Sequence, residues 1–240
     1  MAGHSKWANI KHKKSRADQK KGKIFSRITK EIIAAVKVGG ADPKSNTKLR
    51  LALQKAKAAN LPNDNIERNI KKASSADQAD YHESSYEIYG HGGVGIIVEA
   101  LTDNKNRTAA DIRVALNKCG GSQASPGSVA FNFDKTGVIE ILKDQAIEEE
   151  LFVAAEEAGA QDFEMEGESY LVLTDPSELY SVKEALEHKN FKIESANLAM
   201  LPKSFVDCDE EQLNANLKLI EWLEDLEDVD EVFHNARASH

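Results

Sequence analysis

Cysteine is scarce in this chain. Its 240 residues hold two, Cys119 and Cys208, and the seven histidines are scattered. Neither cysteine has a second Cys or His at metal-ligand spacing, so no zinc site is expected. Two lone thiols point to a reducing compartment and hence to a cytoplasmic protein. Long apolar runs are missing as well. No stretch approaches the ~18 residues of a membrane span, and the first residues lack the apolar core of a secretory signal. The Asn106-Arg107-Thr108 triplet fits a glycosylation pattern that is meaningless in a cytoplasmic chain. No Ser-His-Asp, Cys-His or HExxH arrangement is visible. The expectation is a protein that is not an enzyme, carries no metal or cofactor, and touches neither a membrane nor a small-molecule substrate.

Acid is almost absent from the first stretch. Residues 3–30 hold Asp18 alone against Lys6, Lys11, Lys13, Lys14, Arg16, Lys20, Lys21, Lys23, Arg27 and Lys30. At about 100° per residue, Lys13, Arg16, Lys20, Lys23, Arg27 and Lys30 share one side of a helix, with Phe25, Ile28, Ile32 and Val36 nearly opposite. Such a helix docks by its apolar face and offers cations to phosphates. Trp7 and His12 lie among the cations, and an indole there stacks on an unpaired base. The plainer reading is a solvated basic helix with Trp7 as a packing anchor. The overall charge of −9 conceals this segregation, because residues 1–72 carry 19 Lys+Arg and 5 Asp+Glu while residues 73–240 carry 12 and 35. One end of the chain suits a polyanion and the other repels it.

In chain order, the spacing predicts a helix from about Lys20 to Lys37, ended by Gly39-Gly40. A second is capped by Ser45 or Asn46, and a third runs through Ile66 and Ile70. The small polar residues from Ala73 to Asp80 mark a boundary. Strands follow at 86–89 and 94–101, then a helix through Ile112 and Leu116, then a strand at 128–133. Residues 138–201 read as a complete βαββαβ unit. A helix at 210–226 and a strand through Val232 and Phe233 then supply what the middle segment lacks. The expected fold is α+β: an N-terminal three-helix domain plus two ferredoxin-like α/β domains, one inserted into the other. The expected boundaries are 1–80 for the basic helical domain, 81–133 with 204–240 for a discontinuous domain, and 134–203 for the insertion.

Two motifs invite chemistry. Gly90-His91-Gly92-Gly93-Val94-Gly95 resembles a phosphate loop, which would suggest a phosphate-ligand enzyme. A strand follows it instead of a helix, so it reads as a β-turn. Asp103, Asn104, Asn106, Arg107 and Thr108 make a polar loop at a helix entrance. Either Asn106 or Thr108 caps the helix, or the loop is a second contact for phosphate or a nucleotide edge. The acids from Glu148 onward and from Asp207 to Asp230 read as solvated helix faces.

The segments GHSKWANIKHKK, KGKIFSRITKEI, NLPNDNIERNIKKA and YGHGGVGIIVEALTDNKNRT, followed by CGG, together look like the YebC family over essentially the whole chain. These are YebC/PmpR-type probable transcriptional regulators, related to the mitochondrial translational activator of cytochrome oxidase. The resemblance implies a three-domain cytoplasmic regulator of gene expression. It implies DNA binding for bacterial members, or action on the ribosome that relieves stalling at proline runs. The residues matching the family's basic motif are Lys6, Trp7, Lys11, His12, Lys13 and Lys14. The partner expected is nucleic acid, either DNA or ribosomal or transfer RNA. The cations are mostly Lys, which meets phosphate as a point charge and reads no base edge.

Overall fold

The computed structural model describes residues 21–73 and 80–239. The polar stretch at 74–79 lies outside them. Helix α1 (Lys21–Gly39) packs Ile28, Ile32 and Val36 against Leu49, Ala52 and Ala56 of α2 (Thr47–Ala58) and Ile66 of α3 (Asn63–Ala73). Asn46 is the α2 cap. Its Oδ1 accepts the Leu49 N–H at 3.0 Å, and its Nδ2 donates to the carbonyls of Ala35 at 2.8 Å and Gly40 at 2.7 Å. One buried amide thus caps one helix and ties off the preceding one.

The hairpin of β1 (His82–Tyr89) and β2 (Gly95–Thr102) follows, with Tyr89 opposite Gly95 and His82 opposite Thr102. Helix α4 (Lys105–Cys119) leads to the two-residue β3 (Ser122–Gln123), which pairs with β1. The strand expected at 128–133 is not one. A turn and a 3-10 segment (Ala130–Asn132) stand there, and only Phe133 opens β4 (Phe133–Leu142). The cause is Glu87, whose carboxylate accepts the N–H groups of Gly127, Val129 and Ala130 at 2.5, 2.6 and 2.8 Å. Those donors are then unavailable to a ladder, and Gly127, at φ +86°, turns the chain beneath them.

The insertion runs β4, α5 (Glu148–Glu157), β5 (Asp162–Glu166), β6 (Ser169–Thr174), α6 (Leu179–His188) and β7 (Ser195–Pro202). Its sheet has the order β5-β6-β4-β7 with antiparallel neighbours. The chain then forms β8 (Val206–Cys208), α7 (Glu210–Asp225), β9 (Val229–His234) and β10 (Ala236–Ala238). Strand β9 pairs with β2 and completes a first sheet of order β3-β1-β2-β9. The fold is therefore α+β, with one α/β sheet interrupted by another.

Helices α4 and α7 cover one face of the first sheet around Ile96, Val98, Leu219 and Leu223. Helices α5 and α6 cover one face of the second around Ile139, Ile141, Leu151 and Val182. The two helix-free faces share a third core: Ile97 and Phe233 of the first sheet meet Val138, Leu171, Leu173 and Leu201 of the second. The two sheets are packed face to face across this core.

Candidate nucleic-acid interface

Of the basic motif, Lys6, Trp7, Lys11, His12, Lys13, Lys14, Arg16 and Lys20 lie outside the described residues. Lys21 opens α1. Lys23, Arg27 and Lys30 share one face of α1, and that face is turned onto the chain itself. Lys23 donates to the Glu224 carbonyl. Arg27 donates to the Val229 carbonyl at 2.7 Å and pairs with Asp230 at 2.8 Å. Lys30 pairs with Asp228 at 2.9 Å, donates to the Glu227 carbonyl at 3.2 Å, and is 8% exposed.

This corrects the picture of a stripe facing phosphates over its described half. Helix α7 ends at Asp225, so nearby carbonyls lack intrahelical partners and carry the negative end of the helix dipole. Lys23 satisfies one of them, and Arg27 and Lys30 reach carbonyls just beyond the helix, at Val229 and Glu227. With Ile28, Ile32 and Val36 buried on the other side, α1 is sandwiched between its own domain and the end of the chain.

The polar loop is drawn into the same seam. Asn104, not Asn106 or Thr108, caps α4: its Oδ1 accepts the Arg107 N–H at 3.1 Å. The helix starts at Lys105, which places Arg107 at the third helical position. The Arg107 guanidinium forks between Asp228 (2.7 Å) and Asp103 (2.8 Å). The Thr108 hydroxyl is buried and donates to Asp228 at 2.9 Å, as Thr102 does at 3.0 Å. Asn106 stays exposed.

Asp228 is thus the node that joins α1, β2 and α4. Burial by itself would raise its pKa, but hydrogen bonds from Lys30, Arg107 and Thr108 hold it down at about 2. Those to Asp228 and Asp103 raise the Arg107 guanidinium further. Nothing in the sequence singles Asp228 out, because it sits in an acid run that reads as a solvated face.

Gly90–Gly95 is the expected turn, with a 3-10 segment at His91–Gly93 and β2 directly after it. Its task is closure. Asn216 of α7, fully buried, accepts the His91 N–H at 2.8 Å and donates to the His91 carbonyl at 3.0 Å. Asn235 accepts the Gly95 N–H at 2.8 Å, and the His91 ring lies 2.8 Å from the Cys119 carbonyl. A signal for Asn216 did exist: it shares the spacing of Leu219, Ile220 and Leu223 on the buried stripe of α7.

What remains open on the helical domain is the outer side of α2 and α3. Arg50, Gln54 and Lys57 follow one another at helical spacing along a groove of about 350 Å³, floored by Leu53 and Ile66 and closed by Asn63 and Glu67. Among the described residues, Lys44, Arg50, Lys57 and Lys71 have no ion-pair partner. Their neighbours Lys37, Lys48 and Lys55 are paired with Asp80, Glu83 and Glu31. Residues 21–73 hold 13 Lys+Arg against 4 Asp+Glu. No group of His, Cys, Asp and Glu among the described residues is arranged to hold a metal ion, and no helix there is long and apolar enough to cross a membrane.

Residues 5–76 match the family model for the TACO1/YebC protein N-terminal domain, and residues 81–236 match that for the TACO1/YebC second and third domain. A probable transcriptional regulatory protein of Protochlamydia amoebophila is 65% identical over 237 residues, 99% of this chain and 97% of that one. One from Chlamydia pneumoniae is 60% identical over 236 residues, 98% of this chain and 99% of that one. The crystal structure of a conserved hypothetical protein from Aquifex aeolicus superposes with a TM-score of 0.88 at 41% identity, covering 98% of each chain.

Proposed function

Because the chain belongs to the TACO1/YebC family, we propose that it is a non-enzymatic, cytoplasmic, nucleic-acid-binding regulator of gene expression that acts on DNA as a transcriptional regulator. One observation carries this reading: a helical domain rich in cations leaves Arg50 and Lys57 along an open groove, while the rest of the chain is acidic. Such a molecule meets a polyanion at one end only. In sequence, Lys6, Trp7, Lys11, His12, Lys13, Lys14, Arg16 and Lys20 directly precede that domain and add to its positive charge. The loop at 103–108 adds a second contact through Asn106 and the exposed edge of Arg107, whose side chain is 42% accessible.

A second reading, action on ribosomal or transfer RNA, is favoured by the cations themselves. Those left unpaired among the described residues are mainly Lys, which meets phosphate as a point charge and reads no base edge.

Salt dependence of binding to duplex DNA and to ribosomal RNA fragments tests both readings. Each phosphate contact contributes about 0.9 to the salt slope on a duplex and about 0.7 on single strands. The pair Arg50→Gln and Lys57→Gln is expected to flatten the duplex slope by about two units. Changing Lys6, Lys11, Lys13 and Lys14 to Gln is expected to flatten it by about three to four. Unchanged slopes in both variants would move the interface elsewhere. Flattening on RNA alone would select the second reading.

A further inference from the structure

The face farthest in character from the helical domain is the outer edge of the inserted sheet. Strand β5 is the end strand of the order β5-β6-β4-β7, so among the described residues one side of its backbone pairs with no other strand. Its five residues alternate. Phe163 and Met165 share the face of Tyr170 and Val172, opposite which they pair in β6, while Asp162, Glu164 and Glu166 take the other.

On the helix side the edge carries an apolar shelf. Phe152 of α5 meets Phe163 edge-on with centroids 5.6 Å apart, and Phe163 stacks on Tyr170 at 5.5 Å. Phe152 is 49% exposed and Met165 57% exposed, an unusual pair to leave in water on adjacent elements. Lys143 already sits 5.7 Å from the centroid of the Tyr170 ring, so the shelf holds one cation of its own chain. Residues 134–203 carry 17 Asp+Glu against 6 Lys+Arg.

These features select among occupants. Nucleic acid is repelled by the carboxylates. A second copy of this chain, added edge to edge, would set Asp162 and Glu164 against themselves, and like charges directly opposite are destabilising. An extended segment that alternates aliphatic residues with Lys or Arg meets both faces at once. Its aliphatic side chains cover Phe163 and Met165, its cations oppose Asp162 and Glu164, and its backbone pairs with the free edge.

We infer that β5 and the Phe152–Met165 shelf form a docking edge for a basic, strand-forming segment of a partner protein.

The experiment uses the full chain and two fluorescein-labelled peptides of about ten residues, one alternating Lys with Val and the other Lys with Ser. Equal charge with unequal apolar content separates the shelf from general attraction. The Lys/Val peptide is expected to bind about tenfold more tightly than the Lys/Ser peptide. The double variant Phe152→Ser, Met165→Ser is expected to abolish that preference, and Asp162→Asn with Glu164→Gln to weaken both peptides while keeping it. Both sites are surface positions, and the second variant leaves the apolar shelf untouched. Equal binding of the two peptides, or an unchanged preference in the serine variant, would overturn the inference. So would a sedimentation profile in which the wild-type chain dimerises and the serine variant does not, because the edge would then belong to a second copy.

Discussion

Replacing Asp228 with Asn tests whether one buried carboxylate holds the helical domain to the rest of the chain. The wild-type side chain is 2% exposed and is approached by Lys30, Arg107, Thr102 and Thr108. Its pKa falls from the ordinary 3.8 to about 2. At about 1.4 kcal/mol per unit, the ionised form adds about 2 kcal/mol to stability. A carboxyl group whose folded pKa is depressed stabilises fully above its unfolded value and loses that contribution as pH falls through its folded one. The window here is about pH 4 down to pH 2.

Asp228→Asn removes the charge and leaves the buried Lys30 with only the exposed Glu227 carboxylate, 4.0 Å away, so the cost at pH 7 should reach about 3 kcal/mol, within the range for a broken buried pair. Urea unfolding followed by circular dichroism would measure it at several pH values. The gap between wild type and variant should be widest at pH 7 and shrink as pH drops below about 4, where protonation does to the wild type what the mutation did. Lys30→Met combined with Asp228→Leu should recover part of the loss, because no charge is then stranded. A difference under about 0.5 kcal/mol at pH 7, which is what an ordinary surface substitution costs, would refute the reasoning. A gap that stays constant down to pH 2.5 would do the same.

Other outcomes follow from the same geometry. Asn104→Ala should cost about 1 kcal/mol by thermal unfolding, as the loss of a helix cap does, and leave nucleic-acid affinity unchanged. Asn216→Leu should cost about 2–3 kcal/mol, because the His91 N–H and carbonyl both lose their hydrogen bonds to the buried amide. Intact stability in that variant would mean that the turn closes without α7. Asp230 behaves in the opposite way to Asp228. Burial and the neighbouring Glu31 push it up to about 6, against the pull of Arg27. A carboxyl raised in the folded state costs stability as pH rises from about 4 through about 6, so Asp230→Asn should be neutral at pH 4 and neutral to stabilising at pH 7. A marked loss at pH 7 would show that its pairing with Arg27 outweighs the burial.

Local chemistry made much of this molecule legible. Gly39-Gly40 ends α1, the α2 cap was narrowed to Ser45 or Asn46 and proves to be Asn46, and the βαββαβ order of the second sheet follows from period and turn signals between Val138 and Leu201. The reading of Gly90–Gly95 as a turn rested on the strand behind it, which is a neighbour in sequence. The missing helix and strand of the first sheet were recognisable at the far end of the chain because Leu213, Ile220 and Leu223 keep a helical period.

Partners were not legible, because a side chain's partner is set by elements distant in sequence. Glu87 turned an expected strand into a turn from 40 residues away. Lys30 and Asp228 stand 198 residues apart. A Lys in a basic stripe and an Asp in an acidic run each look solvated when read locally. Only packing α1 against the end of α7 removes water from both and makes them one buried pair. The charge segregation of the chain was therefore plain in its sequence, whereas which cations face outward and which lock the domains together was decided by the tertiary structure alone.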